Sequence, residues 1–190
     1  MSAPAPQPRG REDAPVLVER FIRGTRFISQ LTGVVAAGLI ALSVFVVCEM
    51  VFVRYVLDQT TIWQTDFVIY SLVAATFVGS PYVLMTRGHV NVDVLPHYAG
   101  PRLRRALAIF ASVVTLAFAT TLAILTFLFW KEAWDNRWVS DTMWRARLWI
   151  PYSSMPIGMG LLTLECIAGF LALLLGRESA FGMTEPELLE

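Results

Sequence analysis

The chain has 190 residues, of which 56% are hydrophobic and 16% are charged, whereas soluble domains have roughly 45–50% and about 25%. Its 15 basic and 15 acidic residues give zero net charge, so no overall field favours nucleic acid as a partner. The two cysteines, Cys48 and Cys166, lack the spacing of a metal site or a disulfide framework. Because long apolar runs alternate with short charged segments, the composition indicates an integral membrane protein.

The first 26 residues differ from the rest of the chain in composition. Residues 1–15 are rich in Pro, Ala, Arg and Gly and lack the apolar core of a cleavable signal peptide, so we expect a disordered cytoplasmic leader. Residues 16–26 place Leu17 and Phe21 on one helical face and Glu19 on another. This pattern predicts an amphipathic helix that lies at the membrane interface.

Four apolar runs exceed the roughly 18 residues needed to cross a bilayer. They cover about residues 27–48, 67–85, 106–130 and 150–175. Hydrocarbon offers no water to unpaired backbone groups, and the alternating short strands of a barrel are absent, so each run is expected to be a helix. The sequence therefore predicts an all-α protein with four transmembrane helices in a domain over residues 27–176, followed by a cytoplasmic tail over residues 177–190.

The distribution of Lys and Arg predicts the orientation. One set of connecting segments holds Arg9, Arg11, Arg20, Arg23, Arg26, Arg87, Arg102, Arg104, Arg105 and Arg177. The opposite set holds Arg54, Lys131, Arg137, Arg145 and Arg147, and five acidic residues offset them there. Cytoplasmic segments retain excess positive charge, so both termini are expected in the cytoplasm.

Small residues recur at four-residue spacing in the first two spans. These are Ser29, Gly33, Ala37 and Ala41 in the first span, and Ser71, Ala75 and Gly79 in the second. Helices in lipid associate through close backbone approach, which small side chains permit. We therefore expect these residues to mark helix contacts within the protein or with a partner subunit.

The sequence contains no recognisable reaction centre. Its two histidines, His89 and His97, lie in the connector after the second span, so they cannot ligate a haem between helices in mid-membrane. The common nucleophile, zinc and phosphate-binding motifs are also absent. No catalytic, cofactor or metal residues are predicted.

Glu165 is a carboxylate deep inside the fourth span, where ionisable groups are costly and are functional candidates. It could relay protons or bind a cation if it faced a water-filled path. The alternative, which we favour, is that it is protonated or accepts a hydrogen bond from a Ser, Thr or Trp side chain on a neighbouring helix or subunit.

Two prolines lie inside apolar runs. Pro81 removes a backbone donor from the second span and Pro156 removes one from the fourth, so a kink is expected at Pro81. No polar residues converge around these prolines as a binding site in the sequence, so both are expected to shape the helices.

Three stretches of the sequence resemble one known family. They are Arg54 and Tyr55 with Trp63 and Asp66, then Gly79 with Arg87-Gly88-His89-Val90-Asn91-Val92-Asp93, and then Trp149-Ile150-Pro151-Tyr152 with Pro156 and Gly158. As a set they resemble the small, Q-type membrane subunit of tripartite ATP-independent periplasmic (TRAP) transporters. The chain departs from the family pattern where Gln64 and Thr65 precede a single acid, Asp66, instead of two adjacent acids.

The resemblance implies a three-component importer for an organic anion or similar solute. A periplasmic solute-binding protein captures the solute, a large M-type permease subunit moves it with sodium, and the small subunit is a scaffold that does not bind solute. Two alternatives are a membrane anchor for a redox or other enzyme complex and a self-sufficient channel. The lack of haem ligands and of pore-lining polar residues favours the transporter subunit.

Overall fold

The computed structural model describes residues 16–86 and 101–174. Its helices are α1 (Val16–Tyr55), α2 (Gln64–Met85), α3 (Pro101–Asp135), α4 (Trp149–Tyr152) and α5 (Ser154–Leu174). The all-α fold is confirmed, because regular structure in these two ranges is helical apart from one isolated antiparallel bridge between Val139 and Arg147. The leader over residues 1–15, the motif from Arg87 to Asp93, the histidines and the tail over residues 177–190 lie outside the described residues.

Four segments are long and apolar enough to cross a membrane. They are Val18–Tyr55, Gln64–Met85, Ala106–Asp135 and Trp149–Leu174. The four predicted spans are therefore confirmed. Helix α1 has 40 residues, or about 60 Å at 1.5 Å per residue, which is twice the hydrocarbon thickness of about 30 Å. It runs without a break through residues 16–26, and the interfacial position of that segment stays a prediction.

The spans are arranged in space in the order α1, α2, α5 and α3. Helix α2 packs against both α1 and α5, α3 packs against α5, and a shorter contact joins α1 to α5. The apolar window of α3 is only 11% buried, compared with 33% for the span made of α4 and α5. The helices therefore form an open arrangement whose outer faces are left to lipid or to another chain.

The buried residues of α1 are spaced as they are in helices that pack as a left-handed pair. They are Thr25, Ser29, Thr32, Ala36, Ser43 and Val46, which follow one another at intervals of three, four or seven residues, as expected for packing at a shallow crossing angle. Ala37 and Ala41, which the sequence suggested as packing residues, are exposed within this chain. Residues spaced exactly four apart turn by about 40° around the helix from one to the next, so such a series moves off the contact face. Their contact with a partner subunit stays a prediction.

The small residues of α2 do lie on its contact face. Ser71, Ala75 and Gly79 are all buried. A Cβ atom at Gly79 would lie 3.0 Å from Cβ of Ala36, and one at Gly33 would lie 2.5 Å from Cγ of Tyr82. Gly33 and Gly79 therefore leave room for α1 and α2 to pack closely at these two points, as expected for helix association in lipid.

Pro81 leaves one carbonyl of α2 without its helical donor. Proline has no N–H, so the carbonyl of Phe77 four residues earlier cannot receive the usual backbone hydrogen bond. The hydroxyl of Ser80 donates to that oxygen at 2.8 Å, and Gly158 of α5 lies directly against it. Helix α2 nevertheless continues from Gln64 to Met85, and the kink expected at Pro81 stays a prediction.

Pro156 explains why the fourth span is divided into α4 and α5. It cannot donate to the carbonyl of Tyr152, and α4 ends at that residue. Pro156 lies in the first turn of α5, where a missing N–H costs little. Backbone hydrogen bonds from Ser153 to Trp149 at 3.2 Å and from Ile157 to Ser153 at 3.3 Å carry the span across the junction.

We expect Gly158→Ala to destabilise the protein by about 1–3 kcal/mol, the range for an overpacked site. The added methyl group would collide with the Phe77 carbonyl, a backbone group that cannot turn away, so α2 and α5 would have to separate. The thermal midpoint of the purified chain measures the loss. Gly160→Ala is the matched control, because a Cβ at Gly160 meets nothing within 4 Å. Equal midpoints for the two variants would refute the close approach of α2 and α5.

Candidate functional site

The first polar contact joins α1 to α5 through Glu165. This carboxylate is 7% exposed and accepts a hydrogen bond of 2.7 Å at Oε2 from the hydroxyl of Ser29, which is 2% exposed. The serine hydrogen bond expected for Glu165 is therefore present. The neighbouring hydroxyls of Thr25 and Thr32 bond to the carbonyls of Phe21 and Ser29 in their own helix, at 2.9 and 2.8 Å. The hydrogen bond between Ser29 and Glu165 therefore connects α1 and α5 at a specific point, although these two helices contact each other over only a short length.

The surroundings of Glu165 do not resemble a metal centre. In residues 16–86 and 101–174, no three His, Cys, Asp or Glu side chains are placed to share an ion. The adjacent Cys166 is buried and has a free thiol. The geometry around Glu165 therefore supports a role in joining helices.

The second polar contact is centred on Asp66 in the first turn of α2. Its Oδ2 atom accepts hydrogen bonds from the hydroxyls of Thr142 and Ser140, the latter at 3.4 Å. These two hydroxyls lie 2.8 Å apart. An acidic side chain in the first turn also interacts favourably with the helix dipole. Asp66 therefore fastens the segment between α3 and α4 to the beginning of α2.

That segment, residues 138–148, folds back on itself, and we call it the outer hairpin. The amide of Ser140 donates to the carbonyl of Ala146 at 2.9 Å, and the amide of Leu148 donates to Trp138 at 3.0 Å. At its tip, Arg145 has a positive φ of 48° and donates its backbone N–H to Thr142 at 3.0 Å. The outer hairpin is therefore an ordered structure.

Gln64 and Glu49 connect the same end of α2 to α1. The Gln64 side chain is 5% exposed and donates through Nε2 to Oε2 of Glu49 at 3.4 Å. Its Oε1 atom is buried and has no hydrogen-bond partner among residues 16–86 and 101–174, which is energetically costly. Beside it, the hydroxyl of Thr65 lies 3.6 Å from the sulfur of Met50. These contacts occupy the positions where the sequence departs from the two-acid family pattern.

Tryptophans gather where α3 ends and α4 begins. The rings of Trp134 and Trp149 lie 4.5 Å apart, and those of Trp130 and Trp134 lie 5.7 Å apart. Trp130 also donates from Nε1 to the carbonyl of Trp149 at 3.0 Å. In the outer hairpin, Trp138 lies 5.7 Å from Phe129, edge to face. The rings of Trp130, Trp134 and Trp149 thus tie the ends of two spans together, as aromatic residues do at a membrane boundary.

The other motif residues are not gathered at one point. Arg54 is exposed at the end of α1, and Tyr55 is 82% exposed. Trp63 stands just before α2 and packs edge-on against Phe67 at 6.0 Å. Within the described ranges, Arg54 makes no ion pair with Asp66, since Arg23–Glu19 is the ion pair found there. The motif residues therefore serve separate contacts.

The fold and these contacts define a multi-pass membrane protein whose polar groups join its helices. Residues 43–176 match the family described as "Tripartite ATP-independent periplasmic transporters, DctQ component". The chain therefore belongs to the DctQ family, the small permease subunits of TRAP transporters.

A curated relative agrees with this assignment. The chain is 28% identical over 134 residues to the C4-dicarboxylate TRAP transporter small permease protein DctQ of Vibrio cholerae serotype O1 (strain ATCC 39315 / El Tor Inaba N16961). The similarity covers 60% of this chain and 58% of the relative. No solved structure matches the chain.

The sequence identified Asp66 and Glu165, but it did not identify Ser140 and Thr142 as partners of Asp66. These pairs are separated by 74 and 76 residues, and isolated hydroxyl residues in a polar connector carry no recognisable signal. The signal that could have indicated partners for Asp66 is its position, because a buried acid in the first turn of a span requires hydrogen-bond donors.

We expect Asp66→Ala to release the outer hairpin from α2. Two hydrogen bonds to a carboxylate would be lost, and each such bond contributes about 1.5–3 kcal/mol, so local opening should increase at least tenfold. The rate of trypsin cleavage after Arg145 and Arg147 measures that opening. Asp141→Ala is the control, because Asp141 is an exposed acid in the same hairpin. Equal cleavage rates in the two variants would show that Asp66 does not hold the hairpin.

Proposed function

We propose that this chain is the scaffold subunit of a TRAP-type secondary transporter in a bacterial inner membrane. It would pair with a large, sodium-coupled M-type permease subunit and work with a periplasmic solute-binding protein. The family match over residues 43–176 carries this proposal. It is supported by four apolar spans and by buried polar groups that pair with one another between helices.

The scaffold role is supported by the exposed surface of the helices. Large apolar side chains are exposed along the whole of α3, including Phe110, Phe118 and Leu125, and along the outer face of α1, including Phe27 and Phe45. A membrane helix needs no partner to shield such residues from lipid, but a broad apolar face allows another chain to pack against it. Because the helices are arranged in an open order, the apolar face available to another chain is wide.

The solute class we propose is an organic anion or a similar small solute. The Vibrio cholerae relative is named for C4-dicarboxylates, and that naming supports the same broad class here. Choice of the solute would belong to the binding protein and the large subunit, which would also carry the sodium sites. Within the described residues, the carboxylates of Glu165 and Asp66 accept hydrogen bonds that join parts of the protein. No cluster of side chains in these ranges is suited to bind a metal ion.

The proposed orientation places both termini in the cytoplasm. It rests on the distribution of the arginines, which favours the side that holds the ends of the chain and the connector between α2 and α3. The outer hairpin, Asp66 and the tryptophan cluster would then face the periplasm. Membership of a transporter family supports this function over an enzyme anchor, and we propose no catalytic role.

We expect co-expression with its large subunit to raise the thermal midpoint and the yield of this chain after extraction. The exposed faces of α1 and α3 would then be covered by protein when lipid is replaced by detergent. The comparison is the thermal midpoint and the yield of monodisperse protein with and without the partner gene, with affinity purification through a tag on this chain. An isolated chain as stable as the co-expressed one would contradict the scaffold role, and so would failure of the partner to copurify.

We expect Glu165→Gln to leave sodium-coupled uptake within about twofold of wild type, because the glutamine oxygen can still accept the hydrogen bond from Ser29. Glu165→Leu is the matched variant of similar size that removes the acceptor. It should lower stability by about 0.6–1.7 kcal/mol, the range for hydrogen bonds between membrane helices. Uptake is measured in cells that express all three components. Normal assembly with lost uptake in Glu165→Gln would instead make Glu165 a working carboxylate.

A further inference from the structure

A cleft of about 590 Å³ opens where α3, the outer hairpin and α4 meet. It is lined by Trp134, Arg137, Trp138, Val139, Arg147 and Trp149. The lining residues are therefore three tryptophans, two arginines and one valine, and none of them is acidic. The cleft is separate from the contacts of Asp66 and Glu165 described above.

The backbone at Arg137 takes a conformation that normally favours glycine. The amide of Trp138 bonds to the carbonyl of Ala133 at 3.1 Å, and that of Arg137 bonds to Trp134 at 3.2 Å. These two bonds form the Schellman motif that ends α3, with Arg137 at the left-handed position and a φ of 49°. Glycine is the usual residue there, because in this conformation the Cβ atom of an L-residue comes too close to the following carbonyl oxygen. An arginine held at this position, with its side chain lining a cleft, points to a role for that side chain.

The two guanidinium groups of the cleft are available to a ligand. Neither Arg137 nor Arg147 makes a side-chain hydrogen bond or an ion pair with any residue in the described ranges. Each guanidinium carries five donors in a planar fork, which suits the paired oxygens of a phosphate or carboxylate. Together they favour an anion that can receive hydrogen bonds from two sides.

The position of the cleft indicates which anion reaches it. Trp134 and Trp149 stand at the ends of apolar spans, at the depth where tryptophans meet lipid headgroups. Exposed Phe127 on α3, whose ring lies 5.9 Å from that of Trp130, and exposed Ile150 on α4 continue toward the hydrocarbon, where acyl chains could lie against them. A basic, aromatic cleft at this depth suits the phosphate of a membrane lipid.

We propose that this cleft binds the phosphodiester headgroup of an anionic phospholipid, such as phosphatidylglycerol, through Arg137 and Arg147. Phosphatidylethanolamine shares the phosphate but adds an ammonium group, which would bring a further positive charge beside two arginines in a lining that contains no acidic residue. A headgroup with a net negative charge therefore fits the lining better than a zwitterionic one. This inference does not depend on the proposed transporter function, because it concerns this chain and lipid alone.

The test measures lipid binding to the full, delipidated chain by native mass spectrometry. The chain is titrated in detergent with phosphatidylglycerol, phosphatidylcholine or phosphatidylethanolamine, with and without excess inorganic phosphate. Each arginine near a membrane surface contributes about 1 kcal/mol with anionic lipid, which is about fivefold in affinity. Phosphatidylglycerol should bind preferentially to wild type, and Arg147→Gln should weaken it about fivefold. Arg137→Gln combined with Arg147→Gln should remove most of the preference.

Arg145→Gln is the matched control, because Arg145 is an exposed arginine of the outer hairpin with a positive φ like that of Arg137, but it does not line the cleft. It should leave phosphatidylglycerol binding unchanged. Helicity by circular dichroism shows that each variant is folded, and Arg147→Gln leaves the strained Arg137 position untouched.

Equal binding of the three lipids to wild type would overturn the proposal. An equal loss in the Arg145→Gln control would do the same, as would complete displacement of the lipid by free phosphate. A double variant that keeps its lipid preference but binds the periplasmic protein less well would assign the cleft to protein docking.

Discussion

The carbonyl oxygen of Phe77 has no helical donor, because Pro81 stands four residues later in α2. Hydrocarbon supplies no water to such a group, so the protein itself must provide a hydrogen-bond donor and pack a neighbouring helix against the carbonyl. Ser80 donates its hydroxyl to this oxygen, and the bare Cα of Gly158 allows α5 to lie against it. This contact fixes the central pair, α2 and α5. Helix α1 is then added to α2 at its own small residues, and α3 is added to α5.

The polar contacts fasten this arrangement near both of its ends. Ser29 and Glu165 join α1 to α5, while Asp66 joins α2 to the outer hairpin through Ser140 and Thr142. Each pair connects segments that are far apart in sequence, so each restricts how the helices can slide past one another. Polar groups used in this way stabilise one specific packing, and a fixed packing is what a scaffold requires.

Hydropathy was enough to predict the four spans, because lipid imposes a minimum length and an apolar composition on any helix that crosses it. The hydrogen bond to Glu165 was predictable for a similar reason, since a buried carboxylate needs a donor. Ala37 and Ala41 do not lie against α2, because they follow a four-residue step that rotates away from it, and their contact with a partner subunit stays a prediction. The outer hairpin was not predictable, because its order depends on Asp66 in a distant helix and on a turn at Arg145 that lacks glycine.

The open order of the helices has a consequence for how material could cross the membrane. Helices α1 and α3 lie at opposite ends of the row and do not form a packed pair. A conduit through a single protein requires its helices to close into a ring around a lumen. Helices α1, α2 and α5 contact one another and α3 packs against α5, so the described helices do not close into a ring of four, and a wall on the side left open would have to come from outside these helices.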